Sequence, residues 1–231
     1  MYLYGLETMA TLMLSILGFG IVIFAQLRIQ SSYSKYKKVE SVKKMSGCEV
    51  ARTILDSNGL TDIHVVEVSG ELSDHYDPNR KVVRLSHDIF HGTSIASISV
   101  AAHECGHAIQ DKENYSLMRI RSFLVPIVNL VSYIGYFVSI FGFLVGVMGY
   151  LKIGIFVLLA TVLFQLVTLP VEFDASRRAK AQMEKLDLTS SNELEGVSSM
   201  LGAAAMTYVA SLLSSLINLL RLIVMFRDRD N

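Results

Sequence analysis

The apolar block that decides the fold is FLVPIVNLVSYIGYFVSIFGFLVGVMGYLKIGIFVLLATVLFQLVTL, residues 123–169. A helix that crosses the hydrocarbon core of a bilayer needs about 20 apolar residues. The block is long enough for two such helices, and the short segment Gly149-Tyr150-Leu151-Lys152 interrupts it. We therefore predict a hairpin of two transmembrane helices over residues 123–170.

Apolar stretches near both ends of the chain add to this hairpin. Residues 8–27 carry no charge and follow Glu7 without a small-residue cleavage site, so residues 1–27 are predicted to be a transmembrane anchor rather than a signal peptide. Residues 197–226 hold several serines as well as Arg221. The segment 197–231 is therefore either a fourth transmembrane helix, which we favour, or an amphipathic helix packed against the others.

The composition agrees with a membrane protein and narrows the range of partners. The 231 residues are 52% hydrophobic and 18% charged, whereas soluble domains carry about 25% charged residues. The formal net charge is zero, so no global electrostatic attraction favours nucleic acid, and a lipid bilayer is the predicted environment. Two cysteines cannot form a disulfide framework and fit a reducing compartment.

Basic residues cluster near the predicted helix ends. Residues 28–47 contain six Lys or Arg, Arg119 and Arg121 precede the hairpin, and four more lie in residues 177–185. Lys and Arg near the ends of transmembrane helices mark the cytoplasmic side. All three clusters fall on one side when the N-terminus is outside, so we predict that both polar regions are cytoplasmic.

Residues 28–122 are predicted to be a small α+β region. Helical and strand-like hydrophobic patterns alternate along it, bounded by turn residues. The predicted elements are a helix over 49–58 that stops at Gly59, strands over 63–68 and 81–85 with the turn Asp77-Pro78-Asn79 before the second strand, and a helix over 94–110. The predicted fold class is therefore mainly α: a multi-pass membrane protein with three to four transmembrane helices and a small α+β, zincin-like HExxH catalytic unit.

The last predicted helix of this region contains HECGH, residues 103–107. His103 and His107 lie one above the other on the same face of a helix, which is the spacing two imidazoles need to share one zinc ion. Glu104 lies beside that face, where it can accept a proton from a zinc-bound water. The surrounding residues are small and apolar, and unpaired polar groups buried there would cost several kcal/mol. The motif predicts one catalytic Zn²⁺ per chain.

The other candidate ligands of the region are interpreted differently. Cys105 lies on the far side of the helix from the two imidazoles, so we predict that it is a small packing residue. Each of the remaining histidines is predicted to be a surface or strand residue rather than a ligand; these are His64, His75, His87 and His91.

A catalytic zinc takes three protein ligands and keeps one open position. The residues after His107 offer no further histidine, so the third ligand must come from farther along the chain. Glu172 is the first acid after the apolar block, at the membrane edge, where an unpaired carboxylate is costly. Asp174 is its competitor. The alternative interpretation of Glu172 is a carboxylate favoured by the dipole at the start of a helix.

The two motifs together, HECGHAIQ (residues 103–110) and LPVEFDASRRA (residues 169–179), resemble the YugP-like integral-membrane neutral zinc metallopeptidases of bacteria. They are more distantly similar to the HtpX-type and prenyl-protein membrane proteases. The resemblance implies that His103, His107 and Glu172 hold the zinc and that Glu104 is the general base. It also implies a bacterial cell membrane location and a protein or peptide substrate, in some cases membrane-associated.

The resemblance also implies supporting residues around the zinc. The relatives carry an Asp four residues after the ligand Glu, where it orients the first histidine; here that position is Ser176. Ser176 or Asp174 is therefore expected to support a ligand. The family further implies a strand that pairs with an extended substrate, for which residues 81–85, and so Val82 and Val83, are the best candidates. Tyr208 and His75 remain alternative oxyanion donors.

The predicted function is a zinc-dependent endopeptidase that hydrolyses proteins at the cytoplasmic membrane face. The alternative is a non-enzymatic membrane scaffold or assembly protein with a structural zinc, which four protein ligands would close. A transporter is disfavoured because the spans hold few charges. An accessory membrane protein or a homo-oligomer is left open. The predicted domains are an anchor (1–27), the α+β region (28–122), the hairpin (123–170), a third-ligand helix (171–196) and a C-terminal helix (197–231).

Overall fold

The computed structural model describes residues 2–145 and 150–230. The tip of the predicted hairpin, including Gly149, lies outside these residues. Long helices dominate the described part of the chain. The three strands of a small sheet follow the second helix in sequence. The elements in chain order are α1 (Tyr2–Tyr36), α2 (Gly47–Ser57), β1 (His64–Val68), β2 (His75–Asp77), β3 (Val82–Ser86), α3 (His87–His91), α4 (Ile95–Lys112), α5 (Ser116–Val145), α6 (Tyr150–Lys185) and α7 (Ser191–Asp230).

Four helices of the described residues are long and apolar enough to cross a membrane. They lie in α1, α5, α6 and α7, over Met9–Tyr36, Ser116–Val138, Lys152–Lys185 and Ser191–Met225. The predicted fold class, a mainly helical multi-pass protein with a small α+β region, is therefore confirmed. The C-terminal stretch that the sequence left open has the length and composition of a fourth transmembrane helix.

All four predicted domain boundaries fall inside continuous helices: 27/28 in α1, 122/123 in α5, 170/171 in α6 and 196/197 in α7. α6 runs through Pro170 without a break, so the end of the hairpin and the segment that carries Glu172 form one helix. Proline removes one backbone donor from a helix, but transmembrane helices tolerate it because other groups satisfy the freed carbonyl. The chain leaves α6 after Lys185 and enters α7 at Ser191, so position 196/197 is also inside a helix.

The chain divides into two compact units. The first comprises Met1–Gln26, Ile120–Leu169 and Thr207–Asn231, and it consists of the apolar helices. Small residues let these helices approach closely, as is common in membranes. A Cβ atom at Gly135 would lie 2.3 Å from Cγ2 of Val157, which places α5 against α6. Arg221 of α7 donates a hydrogen bond to Oγ of Ser15 in α1 at 2.6 Å.

The second unit comprises Leu27–Arg119 and Pro170–Met206. α2 begins with a capping box, in which Ser46 and Glu49 satisfy each other's backbone N–H groups. Its buried face, which includes Val50 and Ile54, packs in one core with α4, the sheet and the ends of α6 and α7. The predicted helices and strands of this region are confirmed to within two residues at each end.

The three-stranded sheet has the order β1-β3-β2. β3 pairs in parallel with β1 and antiparallel with β2, so both of its edges are occupied. Val82 and Val83 lie in this central strand and are buried. The expectation that an extended substrate pairs with residues 81–85 therefore requires correction, because an added strand needs a free edge. β2 is an edge strand instead, and its three residues were too few for the sequence pattern to predict.

Candidate metal centre

The HECGH motif lies in α4, one of the most buried helices of its unit. Oγ of the N-cap residue Ser94 accepts a hydrogen bond from the backbone N–H of Ser97 at 3.1 Å, which starts the helix. Small residues then let a second helix approach. A Cβ atom at Gly106 would lie 2.4 Å from the backbone oxygen of Ala175 in α6. The backbones of α4 and α6 are therefore in direct contact at the motif, and this contact requires glycine at position 106.

The contact between these helices brings three donor atoms together. Nε2 of His103 lies 3.2 Å from Oε2 of Glu172, and Nε2 of His107 lies 3.6 Å from the same oxygen. The two imidazole rings are 4.8 Å apart between centroids and nearly perpendicular. The side chain of Glu172 is only 2% exposed.

The chemistry of this donor set fits zinc. Ligands of a tetrahedral zinc lie about 2.0–2.2 Å from the ion, and hence about 3.3–3.6 Å from one another. The separations from Glu172 to His103 and to His107 have this size. Two imidazole nitrogens and one carboxylate oxygen also form a ligand set of catalytic zinc sites, which leaves the fourth position open. The three side chains can therefore hold one zinc ion.

Asp174, the competing ligand candidate, has other partners. Its Oδ2 accepts a hydrogen bond from Nε2 of Gln110 at 2.9 Å. The same carboxylate forms ion pairs with Arg177 and Arg178. Oε2 of Glu113 accepts a hydrogen bond from Nη1 of Arg178 at 2.6 Å. Glu172 therefore lies with the two imidazoles, whereas Asp174 contacts Gln110 and the two arginines.

Both histidines are held by their second ring nitrogen. Nδ1 of His103 lies 3.2 Å from Oγ of Ser176, and Nδ1 of His107 lies 2.9 Å from Oε1 of Gln110. The amide nitrogen of Gln110 donates to the backbone oxygen of Val171 at 2.8 Å and to Asp174. Because this nitrogen has two acceptors, the amide orientation is fixed and its oxygen faces His107. Nδ1 of His107 then carries the proton, and Nε2 keeps the lone pair that a metal needs.

Gln110 is not among the predicted site residues, although the sequence carries a signal for it. Gln110 follows His107 by three residues, so the two side chains lie on the same face of α4. Gln110 is also fully buried, and a buried amide needs hydrogen-bond partners. A polar residue three positions after a predicted ligand, in an otherwise apolar helix, is the pattern that could have identified it.

Glu104 follows His103 in α4 and is almost fully buried. Its Oε2 accepts a hydrogen bond from the backbone N–H of Tyr76 in β2 at 2.9 Å. Burial raises the pKa of Glu104 to about 7, and the negative charge of Glu172 acts in the same direction. The hydrogen bond from the N–H of Tyr76 acts in the opposite direction. The carboxyl group is therefore poised between its two protonation states at neutral pH.

The two oxyanion candidates lie in different units of the structure. His75 is exposed on β2, next to Tyr76, and its Nδ1 lies 2.7 Å from the backbone oxygen of Ser73. Tyr208 lies on α7, within the unit of apolar helices. The oxyanion role stays a prediction for both residues.

An HExxH helix that meets a glutamate from a second helix is the donor arrangement typical of metallopeptidase zinc centres, here in a protein with four long apolar helices among the described residues. A family model described as "Putative neutral zinc metallopeptidase" matches residues 11–227, and the chain belongs to this family. It is also 45% identical over 218 residues to a protein of Bacillus subtilis (strain 168) named "Putative membrane protease YugP". The aligned region covers 94% of this chain and 97% of that protein. No solved structure matches the chain.

These comparisons confirm the resemblance that the two sequence motifs indicated. Membership of the family supports a protease role and implies zinc as the metal. The similarity to a membrane protease agrees with the four apolar helices.

Proposed function

We propose that the protein is a membrane-bound, zinc-dependent endopeptidase that hydrolyses peptide bonds of proteins at the cytoplasmic membrane face. The observation that carries the proposal is the convergence of His103, His107 and Glu172 beside Glu104. Together the first three residues would hold one Zn²⁺ per chain. Family membership and the similarity to a membrane protease support the same function.

The side chains around the site divide the work of hydrolysis. Zinc, when bound, supplies a Lewis acid that polarises the peptide carbonyl and acidifies water. Glu104 accepts the proton of the attacking water and returns it to the leaving amine. The backbone N–H of Tyr76 keeps the Glu104 carboxylate in place. Gln110 and Ser176 orient the imidazoles.

The proposed substrate-binding strand is β2. It is an edge strand, and the N–H of its central residue, Tyr76, donates a hydrogen bond to Glu104. An extended peptide added to this edge would therefore lie beside the general base. β2 thus takes the place that residues 81–85 held in the sequence-based prediction.

The proposed orientation rests on the basic residues. Residues 28–47, Arg119 with Arg121, and residues 177–185 lie at or near the ends of long apolar helices. The bias of Lys and Arg toward the cytoplasmic side places all three clusters there, in a multi-pass protein of the bacterial cell membrane.

The competing function is a membrane scaffold with a structural zinc. A structural zinc is closed by four protein ligands. The buried donor group of the described residues has three members, His103, His107 and Glu172. This donor count favours the enzyme, because an open position is what a reacting zinc requires.

Glu104→Gln tests the proposed function. The substitution removes the proton acceptor but leaves all three proposed ligands. We expect the purified full-length variant to keep its zinc and to cleave an unfolded protein substrate about 10²- to 10⁴-fold more slowly. Zinc content and cleavage rate are measured on the same preparation in detergent. Unchanged cleavage by this variant would refute the enzyme mechanism.

Metal analysis of Glu172→Ala and Asp174→Ala, side by side, tests the third ligand. We expect zinc to be lost in Glu172→Ala and retained, at saturating zinc, in Asp174→Ala. The opposite pattern would assign the ligand to Asp174. A Glu172→Ala protein that no longer folds would instead favour the structural-zinc scaffold.

A further inference from the structure

A second group of metal-ligating side chains lies outside the HECGH site. It consists of Glu67 on β1 and of His87 and His91, which are four residues apart on α3. Nδ1 of His87 lies 2.7 Å from Oε1 of Glu67, and Nε2 of His91 lies 2.9 Å from Oε2 of Glu67. One donor atom from each of the three residues lies within 4.8 Å of the others. We call these three residues the surface cluster.

The three residues of the surface cluster are exposed, but the backbone that carries them belongs to the sheet and to the helix that follows it. Glu67 is paired with Leu85 in the β1–β3 register, and α3 starts directly after β3. Between the two histidines, Ile89 is buried in the core, so α3 turns His87 and His91 outward. Both imidazoles therefore project from one anchored helical turn.

A neighbouring acid that could compete for the same role is already paired. Asp88 lies between the two histidines in sequence and forms an ion pair with Lys37. Its own pKa is lowered by the hydrogen bond from Lys37, so it is ionised at neutral pH. Glu67 is therefore the carboxylate that faces the two imidazoles.

Hydrogen bonding alone could account for these contacts, because each neutral imidazole can donate one N–H to a carboxylate oxygen. The donor set is nevertheless that of a metal site, with two imidazole nitrogens and a carboxylate whose donor atoms lie within 4.8 Å of one another. The separations of 2.7 and 2.9 Å are shorter than those between zinc ligands. The three side chains are 42–73% exposed, so they can open by about half an ångström around an ion.

We propose that Glu67, His87 and His91 form a second metal site, selective for divalent transition ions that prefer imidazole, of which Zn²⁺ is the representative. Water completes the coordination, because the site is open to solvent. The ion links β1 to α3. It thereby braces the entry to α4, since Oγ of Ser97 in α4 donates to the backbone oxygen of Asp88 in α3 at 3.1 Å. This site is separate from the proposed catalytic zinc and does not rest on the proposed function.

The test is a Zn²⁺ titration of the full-length protein after chelator treatment, followed by calorimetry in detergent. We expect two binding events per chain, the weaker at the surface cluster. The double variant H87A/H91A should lose the weaker event and keep the tighter one. The double variant H103A/H107A should lose the tighter event and keep the weaker one. His64→Ala, an exposed imidazole on the same strand β1, is the matched control and should keep both.

Glu67→Gln guards against misfolding of the double variant. The glutamine keeps an oxygen that can accept hydrogen bonds but lacks the charge. We therefore expect the dissociation constant of the weaker site to rise at least about tenfold, as it does when a contact that supports a metal ligand is lost. The proposal is overturned when the wild-type protein binds one ion per chain, or when H87A/H91A still binds two.

Discussion

Two clusters in the protein consist of the same residue types, two histidines and one glutamate, but they differ in burial and in the contacts around them. HECGH (residues 103–107) and HDIFH (residues 87–91) both place two imidazoles and an intervening acid at the same spacing on a helix. We call His103, His107 and Glu172 the buried cluster; its two imidazoles face the same oxygen of Glu172, at 3.2 and 3.6 Å. In the surface cluster each imidazole faces its own oxygen of Glu67 at hydrogen-bonding distance.

The difference indicates what the proposed reaction site has in addition to the spacing of its histidines. The histidines of the buried cluster are held from behind by Ser176 and Gln110. The intervening acid, Glu104, is buried, and its pKa is raised to about 7. In the surface cluster the equivalent acid, Asp88, is paired with Lys37 and stays ionised. Spacing brings the imidazoles together in both clusters, but burial and outer contacts prepare only one of them for proton transfer.

The largest expected effect separates the two carboxylates. Glu172→Ala should abolish zinc binding at the buried cluster and reduce cleavage at least about 10³-fold, because the variant cannot hold the metal that the proposed reaction needs. Glu67→Ala removes the matching carboxylate of the surface cluster and should leave the buried ion bound. Zinc content and cleavage rate measured together on both variants decide the point. Loss of the tightly bound ion, or of cleavage, to the same extent in the two variants would erase the distinction between the clusters.

The second prediction concerns the helix contact that only the buried cluster has. In Gly106→Ala the added Cβ atom meets the backbone oxygen of Ala175 at 2.4 Å, so α4 and α6 must move apart. We expect a loss of about 1–3 kcal/mol in stability and weaker zinc binding. Thermal unfolding with and without zinc measures both.

Gly202→Ala is the matched control for this prediction. Gly202 lies in α7, and a Cβ atom there would meet no other atom within 4 Å. Because alanine is the better helix former, this control should be neutral or stabilising by up to about 1 kcal/mol. If the two alanine variants behave alike, the close contact at Gly106 does not support the site.

The third prediction tests the support behind His107. Gln110→Ala removes the acceptor of the His107 Nδ1–H, and we expect zinc affinity to fall about 10- to 100-fold. Cleavage at saturating zinc should fall much less, because Gln110 acts only through the ligand. Gln182→Ala is the control, since Gln182 lies on α6 and its Oε1 accepts from Asn58 instead. Unchanged zinc affinity in Gln110→Ala would show that the amide has a packing role only.

The smallest expected effect is a proton count. With its pKa raised to about 7, Glu104 is partly protonated at pH 7 in the metal-free protein. A bound cation favours the carboxylate, so zinc binding releases that proton, and zinc affinity rises with pH up to and somewhat above 7. Calorimetry in buffers of different ionisation enthalpy measures the release. Glu104→Gln should release fewer protons on zinc binding than the wild-type protein, and an equal release would contradict the raised pKa.

Much of the fold could be predicted because it depends on local composition. Runs of about 20 apolar residues identify transmembrane helices, and turn residues such as Gly59, which has a positive φ of 66°, mark where elements end. Strand order is different. β3 became the central strand because a three-residue strand, β2, pairs with it, and no local pattern identifies so short an element.

The residues of the candidate site could also be predicted in part. His103 and His107 follow from helical spacing, and Glu172 from the cost of a lone acid at the membrane edge. Gln110 was missed because its partners, Val171 and Asp174, lie more than 60 residues away in sequence. His87 and His91 were judged singly, although their spacing equals that of the HECGH pair.

The distance in sequence between the donors has a consequence for biosynthesis. Glu172 is made 69 residues after His103, which at about 5–20 residues per second takes several seconds on the ribosome. During that interval the nascent chain has both histidines but lacks the carboxylate that faces them. A ribosome-bound chain that ends before residue 172 therefore cannot complete the buried cluster. Order of synthesis alone would then keep an unfinished protease from acting on other nascent proteins at the membrane.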